Sequence, residues 1–403
     1  MISATEIHNE DTLPARTADL RRLSLTVGVV GLGAWLVLAL IPWSRSAALP
    51  AYLVAYVFVL GISVGSLGFL MLHLLVGGKW GFLLRRPLEA ATTPLLLLLM
   101  AALFLPLAVG SEALYAWADP SAVKESLILQ NKAGYLNLPF WLGRSALYFV
   151  IWTGLAALYR RGSIAQDANA DPRPTERAIG FAGPALVVTF LSVTFAAIDW
   201  MMSIEPEWYS TIYGVMVMIG WALSALAVGI IVASKLADVR PFSEVADQGG
   251  FHDLGNLLLA FTMLWAYMSF SQYLIIWMGD LSEEIPWYLK RSSGGWRWVC
   301  AALMIFHFFV PFFCLLIREN KRESTRLQLV AAALLVMHVV NDAWLIIPAF
   351  AAQRLQLVAL VPALAGVGGI WVALFLRGLT SRTLLPRHDP MLAEALVHHG
   401  GGH

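Results

Sequence analysis

Ten long apolar runs decide what this chain can become. They fall near residues 23–43, 51–77, 88–110, 138–160, 177–203, 210–236, 253–278, 296–317, 326–347 and 356–378. Each is about the 20 residues that a helix needs to cross roughly 30 Å of hydrocarbon. Inside a bilayer the backbone must satisfy its own hydrogen bonds, and runs of this length do so as helices. Composition agrees: 59% of the 403 residues are hydrophobic and 13% are charged, about half the charge of a soluble domain. The expectation is an all-α membrane protein of ten transmembrane helices. A polar tail over 1–22 would precede a membrane domain over 23–378, and a second tail would occupy 379–403. Arg21 and Arg22 resemble a twin-arginine signal, but no small-residue cleavage site follows, so the first run reads as a retained span.

Turn chemistry marks the interruptions at Pro42, Gly77-Gly78, Pro87, Asp119-Pro120, Pro172, Pro174, Pro206, Pro241, Gly294-Gly295 and Pro348. The longest connections, about 111–137 and 279–295, are rich in aromatic and acidic residues and suit packing on something outside the membrane. Lys and Arg favour the cytoplasmic side. With the N-terminus inside, 19 of the 27 fall on inner segments, so both termini are expected in the cytoplasm, and a bacterial inner membrane is the expected location.

A net charge of +1 and the lack of a dense basic run exclude a nucleic-acid partner. Cys300 and Cys314 lie on one expected helix, about 21 Å apart at the helical rise, and cannot pair with each other. No CxxC or haem-attachment CxxCH is present.

Function must therefore come from polar groups inside the spans, where each carries a free-energy penalty unless other helices satisfy it. Toward the outer half lie Asp199, Ser271, Gln272, His338 and Asp342, with His338 and Asp342 four residues apart on one helical face. Toward the inner half lie His73, Glu89, His252 and Asp253. One group at each side is the pattern of two proton half-channels. The competing reading for the inner group is ordinary helix ends meeting water and headgroups. For Asp199 and Asp342 it is a structural pair with Arg144 or Arg297, and for His307 a hydrogen-bonded core histidine. A faint repeat sets AIDWMMSIEP beside VNDAWLIIPA, and Trp141 and Arg144 beside Trp296 and Arg297. Under it, helices 2–5 (about 51–204) and 6–9 (about 210–348) form two four-helix bundles flanked by helices 1 and 10, and Asp199 corresponds to Asp342.

The segment HDLGNLLLAFTMLWAYMSFSQYLIIWMGDLSEEIPWY (252–288), together with DWMMSIEPEWYSTIYG (199–214), resembles the NrfD-like, polysulfide-reductase-type membrane family. The likeness is to the second such integral membrane subunit of alternative complex III, a quinol:electron-acceptor oxidoreductase. The resemblance implies the two-bundle fold and a complex with a multihaem cytochrome c subunit carrying haem c, an iron–sulfur subunit, a paralogous NrfD-like subunit and small membrane subunits. It also implies quinol oxidation at the outer side of the paralogue. For this subunit it leaves open quinone or menaquinone binding and proton conduction, with no covalently bound cofactor, no metal site and no catalytic centre of its own. Other classes fit the spans too: a secondary transporter, a cytochrome b using His307 and His338, or a structural anchor for extramembrane redox subunits.

Overall fold

The computed structural model describes residues 12–41, 44–351, 353–386 and 388–392. Pro42, Arg387 and the outer parts of the two expected tails lie outside them. All regular structure among the described residues is helical. The helices that position the site are α1 (Thr12–Leu40), α2 (Arg45–Val76), α3 (Trp80–Ala91), α4 (Pro94–Ala102), α5 (Leu105–Val109), α6 (Leu138–Ala168) and α7 (Arg173–Trp200). They continue with α8 (Tyr213–Leu236), α9 (Gln248–Gly279), α10 (Ile285–Ser292), α11 (Trp296–Ala302), α12 (Val310–Leu316), α13 (Ser324–Ile346) and α14 (Gln353–Leu379). Among the described residues nine helical segments are long and apolar enough to cross a membrane. A tenth arises if α3 and the run from Pro94 to Val109, bent by 46°, are one span.

That bend has a local cause. Pro94 lacks an N–H, and it holds Thr93 in an extended conformation (φ −60°, ψ 137°), so the helix stops and restarts. The expected third helix, 88–110, is thus two pieces and starts earlier, at Trp80. Arg85, Arg86 and Pro87, read from sequence as inner-loop cations and a boundary, lie inside α3 and are buried. A second irregularity interrupts the eighth run: Leu303–Phe309 winds as a π-helix between α11 and α12. Such segments widen the helix by one residue and are frequent at functional sites.

The centre of the molecule is α2, which packs against α8, α14, α7, α13 and α3. Its hydrophobic window is 89% buried, against 22% for α9 and for the run from Trp296 to Leu316, which present apolar faces outward. At the periphery α1 lies along α14. Gly28 and Gly31 meet Gly366 and Gly369 so closely that a Cβ on Gly31 would sit 2.5 Å from the Gly366 amide nitrogen. Small residues allow this approach, which is how helices associate where water supplies no driving force.

Long-range hydrogen bonds define two ends of the bundle. Lys79 meets Asp247, Arg86 meets Asp167, and Ser234 meets the Ser324 carbonyl at one end, here the first end. Lys132 meets the Pro206 carbonyl, and Lys290 and Arg291 meet Glu205, at the second. The expected tails are more structured than their polarity suggests. Helix α1 begins at Thr12, and beyond Leu379 the chain folds back over the first end with Leu384 and Leu385 buried. The connections at 111–137 and 279–295 hold short helices, one of them opened by Asp119, whose side chain accepts from the Ser121 amide.

Candidate functional site

Asp199, at the end of α7, is fully buried and held on every side. Arg144 of α6 donates to it through Nε and Nη2, both at 2.8 Å, and the Tyr148 hydroxyl donates at 2.7 Å. The Arg144 guanidinium in turn lies over the rings of Tyr135 and Phe140, at 3.8 and 4.3 Å. A bidentate guanidinium–carboxylate pair with a third donor satisfies both charges. Asp199 is therefore a clamp between α6 and α7, the structural alternative weighed from sequence.

Glu89 sits in a larger ionic knot at the first end. Arg85 Nε donates to it at 2.8 Å, Arg86 Nη1 at 2.6 Å, Arg382 Nη1 at 2.8 Å and Ser163 Oγ at 2.7 Å. Arg86 and Arg382 also share Asp167. The other inner candidates are separate. His73 Nε2 lies 3.2 Å from the Gly78 carbonyl, its ring against Trp80 and Phe82. His252 is partly exposed and contacts Asn256, whose carbonyl oxygen accepts from Lys321, while Asp253 is exposed. No hydrogen bond among the described residues joins His73, Glu89 and His252. The inner group is thus three local arrangements rather than one line.

The outer candidates include one group of a different kind. His338 and Asp342, one turn apart on α13, are 2% and 3% exposed, and His338 Nε2 lies 3.6 Å from Asp342 Oδ1. That is beyond a hydrogen bond, so a small approach is needed before a proton can pass between them. His307, on the π-helix, stacks flat on Trp265 at 4.1 Å and stands 5.9 Å from the His338 ring. Neither ring nitrogen of His307 or of His338 has a hydrogen-bond partner among the described residues, and neither has Asp342 Oδ2. The Met337 carbonyl faces His307 without hydrogen-bond geometry, and the Asn341 side chain faces Asp342. Arg297, read from sequence as the counterpart of Arg144, lies over the Trp298 ring, and among the described residues no ion pair with Arg or Lys reaches Asp342. Two aspartates read as equivalents thus differ: one is neutralised by an arginine, the other faces the His338 imidazole.

Gly220 of α8 makes room for this group, since a Cβ there would fall 2.2 Å from His338 Cε1. Toward the second end, Tyr213 is buried within the electrostatic reach of Asp342, Arg291 and Glu205. Arg291 Nη2 donates to Glu205 at 2.7 Å and to the Leu345 carbonyl at 2.8 Å. Glu205 also accepts from the half-exposed Lys290, so polar groups continue from Asp342 to the surface. Gln272 is buried and accepts from Ser210 at 2.5 Å, near the same end, while Ser271 is only half-buried. Sequence reasoning passed over Tyr213, Glu205 and Arg291; His307 it read as a hydrogen-bonded core histidine, whereas both ring nitrogens are without a hydrogen-bond partner among the described residues.

Beside this group, an apolar cleft of about 290 Å³ opens between α2, α7, α8 and α9. Ile219 and Phe261 line it and pack in one cluster with Trp265, on which His307 stacks, so the lining residues and the Trp265 ring separate the cleft from His307. Among the described residues no three His, Cys, Asp or Glu side chains converge as a metal site. A scan against protein-family models and a search of curated proteins give no match to this chain.

Proposed function

We propose that this chain is an NrfD-like membrane subunit of a quinol:electron-acceptor oxidoreductase, in which His307, His338 and Asp342 carry protons toward the second end. The carrying observation is that three ionisable side chains, fully buried and without a neutralising arginine, stand next to one another across two helices. A group whose proton sites are unoccupied by fixed partners can accept and pass a proton, whereas Asp199, saturated by Arg144 and Tyr148, cannot do so without breaking its clamp. Tyr213 and Glu205 continue the route outward. The apolar cleft suits a prenyl chain, placing a quinone tail beyond Trp265 from His307. Electrons leave through haem c and iron–sulfur partners, since no redox ligand set converges among the described residues. The second end then faces the periplasm, and the two bundles, 2–5 and 6–9, are the frame.

A transporter reading draws on the bent α3–α4 pair and the π-helix, because interrupted helices line transport sites. Under the repeat, however, the two interruptions fall on non-equivalent helices, the second of one bundle and the third of the other. Paired half-helices facing one another need corresponding positions. The complex reading is therefore preferred.

The test is purification of the tagged chain from native membranes. Haem c and iron–sulfur absorbance should co-purify with it, and Asp342→Asn should slow proton release per electron while the complex stays assembled. Asp199→Asn should leave that ratio unchanged. A chain that purifies without redox partners, or an Asp342→Asn complex with unaltered proton stoichiometry, overturns the proposal.

A further inference from the structure

Beside the bend between α3 and α4 lies a narrow crevice against α2 and α6, at the first end. Leu70, Leu74 and Ala156 form its apolar side, and Arg85, Thr92 and Tyr159 its polar side. The centre of a water molecule has about 10 Å³ in which to move there, and one buried water needs roughly 10–15 Å³ by that measure. Size alone excludes a phosphate or a hydrocarbon chain.

The polar groups ask for a partner of both polarities. Arg85 and Tyr159 are each 7% exposed. Arg85 Nε donates to Glu89, but its Nη1 has no hydrogen-bond partner among the described residues, and neither has the Tyr159 hydroxyl. Buried donors of this kind are rare, because an unmade hydrogen bond to a charged group is costly. Thr92, 3% exposed, offers the opposite: its hydroxyl proton goes to the Leu88 carbonyl at 2.9 Å, so lone pairs are what the oxygen has left. A monatomic anion suits the two donors but cannot donate to Thr92. It would also lie against Glu89, whose carboxylate already accepts from Arg85, Arg86, Arg382 and Ser163. A metal cation would meet Arg85 and Arg160. Water is uncharged and both accepts and donates.

The position carries a consequence for the backbone. Thr92 directly follows α3, and the chain beyond Thr93 restarts at 46° to it. Water inserted at such a break replaces hydrogen bonds that a continuous helix makes within itself.

We infer that the crevice is a binding site for a single ordered water, which accepts from Arg85 Nη1 and the Tyr159 hydroxyl, donates to Thr92 Oγ1, and so braces the α3–α4 bend against α6. About three bonds is usual for a buried water. The site is independent of the proton route, so either assignment can fail alone.

The test is a cryo-EM map of the full chain, or of the complex that contains it, at a resolution that shows ordered waters, with amide hydrogen exchange read alongside. The expected result is one peak within hydrogen-bond reach of Arg85 Nη1, Tyr159 Oη and Thr92 Oγ1. Tyr159→Phe and Thr92→Val should remove the peak and speed exchange several-fold at the Leu96 and Leu97 amides, which bond the Thr93 carbonyl at the start of α4. Thr92→Ser keeps the hydroxyl and should keep both peak and protection. Absence of a peak beside ordered side chains in the parent overturns the inference, whether or not the variants fold. Unchanged exchange in both Tyr159→Phe and Thr92→Val overturns it too. A peak that gains bromide density when bromide replaces chloride assigns a halide, and overturns it as well.

Discussion

Removing Arg144 is the sharpest test of how the first half of the chain is held. Asp199 has no exposure and draws three donors, two of them from Arg144. An Arg144→Met variant keeps most of the side-chain volume but strands a buried carboxylate with only Tyr148 beside it. Breaking a buried pair from one side costs about 3–5 kcal/mol. Tyr148→Phe removes one hydrogen bond to a charged acceptor and should cost about 1.5–3 kcal/mol. The double variant Arg144→Met, Asp199→Leu removes both charges together, so its loss should fall well below the sum of the single losses. Unfolding of the purified chain by denaturant, followed by tryptophan fluorescence, reads this directly, since Trp141 Nε1 donates to the Asp199 carbonyl and Trp200 Nε1 to Ser145 Oγ. An Arg144→Met variant within about 1 kcal/mol of the parent, or additive losses in the double variant, refutes the clamp.

Gly220→Ala should displace the His338 ring, at a cost of about 1–3 kcal/mol for overpacking, and should lower proton release; an unchanged stability and rate means that the ring is not confined there. Glu89→Gln leaves Arg85 without its ion pair and Arg86 and Arg382 with Asp167 alone, and a loss of about 3–5 kcal/mol is expected, seen as a fall in folded yield on size-exclusion chromatography. Asp389 binds its proton more tightly folded than unfolded, so its contribution is complete below the unfolded value, near 3.8, and is lost as pH rises through the raised folded value. Asp389→Asn should therefore protect residues 380–392 from hydrogen exchange at pH 7 at least as well as the parent does. Asp119 is shifted the other way by hydrogen bonds from the Ser121 side chain and amide. The cap it forms should hold above the unfolded value and fray as pH falls through the lowered one, seen as faster amide exchange at Ser121.

The spans were legible because hydrocarbon thickness leaves only one way to read twenty apolar residues. The breaks within them were not. Thr93-Pro94 lies in the middle of an apolar run, and a π-turn has no composition that separates it from α-helix. Arg144 and Asp199 were readable as a pair because each sits in a span where an unpaired charge is hard to keep. The Glu89 knot was not readable, since Arg382 is 293 positions away and sits in a stretch polar enough to pass for a tail. Asp342 and His338 showed their one-turn spacing and His307 and His338 could be named together, but that the three stand side by side with no neutralising arginine among the described residues needed the packing of the helices.

The glycine contact between α1 and α14 sets a timetable for biogenesis. Helix α1 leaves the ribosome long before its principal neighbour α14, so its glycine face waits in lipid while the crossings between them are inserted. Anything that stops translation before Gly366 releases a membrane segment with an unmatched edge, the kind of surface by which quality-control machinery recognises an unfinished chain.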